Sequence, residues 1–92
     1  MIQFEWHSKK DELNQKKHSI SFNEAKSVFD DPLGIYKQDI EHSIGEERSY
    51  IIGNSMTNKL IVVSFTERGN NIRIISARLA TKIEKKVYEN QS

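Results

Sequence analysis

Cysteine is absent from the 92 residues. That removes disulfides, thiolate nucleophiles and thiolate metal sites together, and it suits a reducing compartment. Long apolar runs are absent as well. Nothing approaches the roughly 20 residues that a membrane span requires, and the N-terminus lacks the extended apolar region of a secretory signal, so a cytoplasmic protein with no membrane partner is expected. An excess of either charge is missing too. Fourteen basic residues against thirteen acidic ones leave a formal charge of +1, so any site for a polyanion must be local rather than a property of the whole surface. There is no His-Glu-x-x-His, no histidine pair at ligand spacing, no phosphate-cradling glycine loop and no Gly-x-Ser-x-Gly elbow; His7, His18 and His42 are scattered. Metal-centred, nucleotide-dependent and serine-hydrolase chemistry therefore lack support, and no metal or cofactor is expected. At this length folding buries somewhat over roughly 60% of the unfolded surface, which supports one modest core and a single domain over residues 1–92.

What is present is concentrated between Asn58 and Lys86. Leu60, Ile61, Val62 and Val63, followed by Ser64, Phe65 and Thr66, form a β-branched and aromatic run that reads as a strand buried on both faces at the centre of a sheet. Gly69, Asn70 and Asn71 tolerate positive φ, and Ile72 to Ala77 resumes the strand signal, so the pair is a hairpin. Upstream, Ser49 to Asn54 reads as the preceding strand and Leu33 to Ile40 as an edge strand, while Ile2, Phe4 and Trp6 alternate at period two in a short first strand. Three capping-box spacings open helices. Ser8 with Asp11 starts one that runs to about His18, with a thin apolar face made of Leu13 and the flanking Trp6 and Ile20. Ser21 with Glu24 starts a second, which places Phe22, Ala25, Val28 and Phe29 on a core face and stops before Pro32. Thr81 with Glu84 starts a third, docked by the narrow stripe of Ile83 and Val87. The expectation is an α+β fold: an antiparallel sheet of three to four strands packed by helices.

Chemistry-bearing groups fall in two places. On the first helix Lys10, Asn14 and Lys17 share one side, with His18 beside Asn14. Such a side is either a solvated face or a stripe of donors for phosphate oxygens, and His18 at the helix end serves equally as a cap or as a base. On the hairpin and at its exit stand Arg68, Arg73 and Arg78, with Glu67 as a titratable neighbour. This inventory suits metal-independent RNA cleavage, in which the substrate's own 2′-hydroxyl attacks the adjacent phosphorus. The protein then has to help deprotonate that hydroxyl, protonate the leaving 5′-oxygen and stabilise charge on the phosphate, for which arginine's planar fork is suited. The bland alternative is that each arginine is an exposed strand-end residue or an ion-pair partner. Arg73 and Arg78 have opposite parity along a strand, so sharing a site requires the chain to turn between them, and Ser76-Ala77 is where that turn is expected. Two further readings stand beside cleavage: a non-catalytic nucleic-acid or protein binding module acting as corepressor with a DNA-binding partner, and RNA binding by stacking on Trp6 and Tyr36.

The run Thr66-Glu67-Arg68-Gly69 followed by Arg73-Ile74-Ile75-Ser76-Ala77-Arg78 resembles the end of the BrnT family, RelE-like ribonuclease toxins of type II toxin–antitoxin systems. Matches in the same order lie upstream: Phe4-Glu5-Trp6, Lys10, Asn14, Lys17-His18, Ser21-Phe22 with Glu24-Ala25, and Val28-Phe29-Asp30-Asp31-Pro32. The resemblance implies a RelE-like fold and an endoribonuclease in which Lys10, Arg68, Arg73 and Arg78 touch the scissile phosphate, with Glu67 among the acid-base candidates and Asn14, Lys17 and His18 as RNA-binding positions. It also implies a BrnA-type ribbon-helix-helix antitoxin as inhibitor, DNA reached only through that antitoxin, and an assembly such as a heterotetramer. Two positions depart from the family pattern. Trp6-His7-Ser8 stands where relatives read Trp-Asp-Pro, and Phe65 stands where they often carry histidine or tyrosine, which removes proton transfer from that position.

Overall fold

The computed structural model describes residues 2–91. Its elements, in chain order, are β1 (Gln3–Glu5), α1 (Ser8–His18), α2 (Phe22–Ser27) continued by a short tight turn (Val28–Asp30), β2 (Ile35–Gln38), β3 (Ser49–Asn54), β4 (Leu60–Arg68), β5 (Asn71–Leu79) and α3 (Lys82–Glu89). One five-stranded sheet has the order β1-β5-β4-β3-β2. The meander from β2 to β5 is antiparallel and β4 lies at its centre, as the apolar run predicts. The expected three to four strands become five because β1, three residues long, pairs in parallel with β5. The connection through both N-terminal helices brings it to the far edge in that sense, and no local pattern reveals this pairing. No helix among the described residues is long and apolar enough to cross a membrane.

Alternation along the strands gives the sheet two unlike faces. One packs against α2, with Ile20, Phe22, Ala25 and Val28 against Ile51, Ile61, Val63, Phe65, Ile74 and Ala77, all but inaccessible to water. Phe65 belongs here, ring against ring with Phe29 and Tyr36, so the phenylalanine at that position is core. The other face carries Tyr50, Ser64, Ser76 and the arginines and has no helical layer across its middle. At one end the loop after β2 folds over it, with Thr66 Oγ1 donating to the Glu47 carbonyl at 2.8 Å. At the other end α3 crosses it, joined to the sheet through Arg78–Glu84 and Asn54–Tyr88.

Helix ends show which capping signals hold. Thr81 and Glu84 form the complete reciprocal box. Ser21 caps α2, its Oγ accepting from the Glu24 amide at 3.0 Å, but the Glu24 carboxylate turns away to accept from Ser55 and Thr57 and so ties α2 to the β3–β4 turn. Burial alone would raise the Glu24 carboxyl; those two hydrogen bonds and the Lys59 charge outweigh it and hold the group below its usual range. At α1 the cap is His7, one residue before the expected Ser8, with Nδ1 accepting from the Lys9 amide at 3.3 Å. Leu13 does not anchor that helix, being 54% exposed, and the buried residue is Asn14. The stripe of α3 also differs from expectation. Ile83 and Val87 remain exposed, at 77% and 45%, because Glu84 and Tyr88 are the residues that face the sheet. Tyr88 is held by Asp31, which accepts from the Tyr88 hydroxyl at 2.5 Å and from the Asn54 amide at 2.8 Å. Gly53 makes room for that carboxylate, since a Cβ there would stand 3.1 Å from Asp31 Oδ2.

Candidate functional site

The arginines come to one face by a route the sequence pattern does not announce. Phe65 pairs with Ile74 but Ser64 pairs with Ser76, so Ile75 is an extra residue and β5 contains a bulge. A bulge shifts strand parity by one, and Arg73 and Arg78 therefore both point away from the core although five positions separate them. The expected turn at Ser76-Ala77 is not formed; β5 runs on to Leu79. Arg68 shares this face, being paired with Asn71.

Sharing a face does not make the arginines converge. Arg73 pairs with Thr66 and Arg78 with Val62, while Arg68 lies six residues along β4 from Val62, which is about 20 Å at strand rise. Each also has a carboxylate partner: Glu46 for Arg68 at 3.1 Å, Glu5 for Arg73 at 3.9 Å, and Glu84 for Arg78 at 2.8 and 2.9 Å in a two-pronged pair. Glu67 lies with Arg68 at the hairpin end, beside Glu46 and Glu47 in an acidic hollow that repels a phosphate. Around one phosphate the sheet therefore offers Arg78 but not the full trio.

What gathers instead is at the rim where β5 outruns β1. A hollow there is lined by Lys17, His18, Arg78, Leu79 and Thr81, and an adjoining one by Lys10, Leu13, Asn14, Lys17, His18, Ile75 and Ser76. The side read on the first helix, Lys10, Asn14 and Lys17 with His18 beside Asn14, thus meets the exit of the hairpin. No ion-pair partner is found for Lys10 or Lys17 among the described residues.

Asn14 makes this rim possible. Its amide nitrogen donates to the carbonyls of Ile20 and Ala77, both at 2.9 Å, and its oxygen accepts from the Ala77 amide at 3.1 Å. One side chain thereby replaces the missing neighbour strand for Ala77 and fastens α1 beside β5 just after the bulge. With every amide atom engaged at 7% exposure, Asn14 sets the place of Lys10, Lys17 and His18 rather than presenting itself to a ligand.

The electrostatics centre on Arg78. The hydrogen-bonded Glu84 carboxylate raises its affinity for the proton further, so it stays cationic at any working pH. In return the Arg78 guanidinium holds the Glu84 carboxyl down at about 2, against 4.5 ordinarily. A depressed folded-state pKa adds stability that is whole above about pH 4.5 and is lost as pH falls towards 2. Acid unfolding of Glu84→Gln should therefore show a flatter loss across that window than the parent chain. Denaturant midpoints measured from neutral pH down to about pH 2.5 test this, and an unchanged acid limb would refute the pairing.

One guanidinium, two ammonium groups and an imidazole thus stand together at the rim of one α+β sheet. The fold is similar to that in the crystal structure of the Brucella abortus ribonuclease toxin BrnT, with a TM-score of 0.63 over 89% of this chain and 100% of that one at 20% identity. A search among curated protein sequences finds no match. The family model described as ribonuclease toxin, BrnT, of type II toxin–antitoxin system matches residues 6–84, and the chain belongs to that family.

Proposed function

We propose that this chain is an endoribonuclease that cleaves RNA without a metal ion, at the rim formed by α1 and the end of β5. The observation that carries this reading is the convergence of Lys17, His18 and Arg78 on one hollow, with Lys10 beside it. The 2′-hydroxyl attacks the neighbouring phosphorus, the P–O2′ bond forms and the P–O5′ bond breaks, leaving a 2′,3′-cyclic phosphate and a 5′-hydroxyl. His18 is the imidazole at this rim and takes the proton-transfer role; His7 caps α1 and His42 pairs with Asp39. Arg78 stabilises the charge that builds on the phosphate, which takes over the fork now held by Glu84. Lys10 and Lys17 hold the strand on the α1 side. Arg73 and then Arg68 meet successive phosphates across the open face, in place of a shared one. Glu67, in its acidic surroundings, takes no part in proton transfer. Total RNA incubated with purified chain in EDTA should be cut to products with cyclic phosphate ends; loss of cutting on chelation would refute the metal-free route.

Control falls to an antitoxin of BrnA type with a ribbon-helix-helix domain, through which alone the complex reaches DNA, for instance as a heterotetramer. What supports a protein partner is the outer surface of α3, where Ile83 and Val87 are exposed among Lys82 and Lys86. Lys85 and Glu89 lie towards Asn58 and Leu60, which turns the Ile83–Val87 flank over the uncovered sheet face. An acidic amphipathic segment would bury those aliphatic groups and shut the site at once. Calorimetric titration with the small ribbon-helix-helix protein encoded beside this chain should give a tight complex. Absence of binding at micromolar concentration would overturn this partner.

A further inference from the structure

The chain has eight aromatic residues, and seven have an evident structural task. Phe4, Trp6, Phe22, Phe29, Tyr36 and Phe65 pack ring against ring on the helix side, with centroids 5.0–6.4 Å apart. Tyr36 stays 57% exposed, but it pairs with Ile51 and so lies on the opposite face of the sheet from Arg78, where no base could stack on it while its phosphate meets that guanidinium. Tyr88 spends its hydroxyl on Asp31 and Asn54. Tyr50 does neither. Among the described residues it has no ring partner and its hydroxyl makes no hydrogen bond, and since no buried side-chain polar atom is left unpaired, that hydroxyl reaches water.

Its position is as informative as its lack of partners. Tyr50 pairs with Ser64, and Ser64 pairs with Ser76, so the three form a row across the open face, two strand spacings or about 10 Å from β3 to β5. Arg78 lies two residues beyond Ser76, on the same face. A phenol ring on this floor is flanked by small hydroxyl side chains and stands within a nucleotide's reach of the guanidinium. An aromatic face beside an arginine is how proteins hold an unpaired base together with its phosphate. In a duplex the base faces are already stacked and out of reach.

Resting on the reading of this chain as a ribonuclease, we infer that Tyr50 is a base-stacking platform and that the substrate class is single-stranded RNA, held with one unpaired base on Tyr50 while a neighbouring phosphate meets Arg78. Stacking of this kind tolerates any base and adds no charge contact.

The test uses a 2′-O-methyl RNA dodecamer, which cannot undergo 2′-hydroxyl attack, and reads binding by fluorescence anisotropy. Tyr50→Leu, chosen because it keeps an apolar side chain on the sheet, should weaken binding by about tenfold or more, while Tyr50→Phe stays near the parent. The salt dependence should be the same in all three, since no phosphate contact is lost. Scanning one abasic position along the dodecamer should find a place that costs the parent as much as Tyr50→Leu does and costs that variant nothing. A duplex of the same sequence should bind more weakly and be indifferent to the substitution. Equal losses in Tyr50→Phe and Tyr50→Leu, or an abasic scan that is flat in the parent, would overturn the platform while leaving cleavage intact. A parent chain that neither binds nor cuts any RNA would instead remove the ribonuclease reading itself.

Discussion

Arg78→Ala should lower RNA cleavage by about 10²–10³-fold, the usual cost of removing one pre-organised charge stabiliser. The loss should appear mainly in kcat, because the fork matters most when charge develops on the phosphate. Arg78→Lys should recover little, since an ammonium cannot offer two parallel donors to one phosphate or to Glu84. Arg73→Ala and Arg68→Ala are expected to behave differently, weakening RNA binding with a reduced salt dependence and sparing most of the turnover. That contrast follows from their spacing along β4 and β5. Single-turnover cleavage and anisotropy on the same variants separate the two effects. Equal loss of kcat in all three would return them to one shared phosphate. Folding should survive the Arg78 change, because its side chain is 44% exposed and solvent screens the pair with Glu84; a cooperative melt with only the modest fall expected from losing that pair is the control.

Asn14→Ala should produce the largest fall in stability of any single change in α1. It strands the Ala77 amide and the carbonyls of Ala77 and Ile20, groups now satisfied by one side chain in a site closed to water. Each buried group left unpaired costs about 1–3 kcal/mol, so the total should reach about 3 kcal/mol or more. For a chain of this size that lowers Tm by more than about 10 °C. Leu13→Ala, on an exposed neighbour, is the comparison and should move Tm little. A melt of Asn14→Ala within a few degrees of the parent would mean that α1 is held by something other than this amide. Where the variant still folds, cleavage should fall as well, since Lys10, Lys17 and His18 lose their fixed place over β5.

The elements carried by local pattern were legible in the sequence. The β-branched and aromatic runs of β3 and β4, the turn that opens at Gly69, the Ser21 cap and the Thr81–Glu84 box each depend on residues within a few positions of one another. So did the stripe of Lys10, Asn14 and Lys17, and so did the family, whose motif residues lie in order along the chain. The outer flank of α3 was misjudged for a related reason: Ile83 and Val87 form a stripe that periodicity detects, but periodicity cannot say whether a core lies beneath it.

What the tertiary structure decided are matters of count and of distant partners. One extra residue at Ile75 reverses strand parity and brings Arg73 and Arg78 to the same side, and a bulge carries no composition of its own that marks it among β-branched neighbours. Asn14 looks like a solvated helix residue until Ala77, 63 positions later, comes to lie beside it with unpaired backbone groups. Tyr50 reads as an ordinary strand residue until the other seven rings are seen to be occupied. By itself the sequence determined which segments are helix and strand, because those depend on neighbours a few bonds away, and to which family the chain belongs. Where the cations meet, and which carboxylate each arginine pairs with, only the folded sheet decides, because hydrogen-bond register and side-chain pairing are settled between residues far apart in the chain.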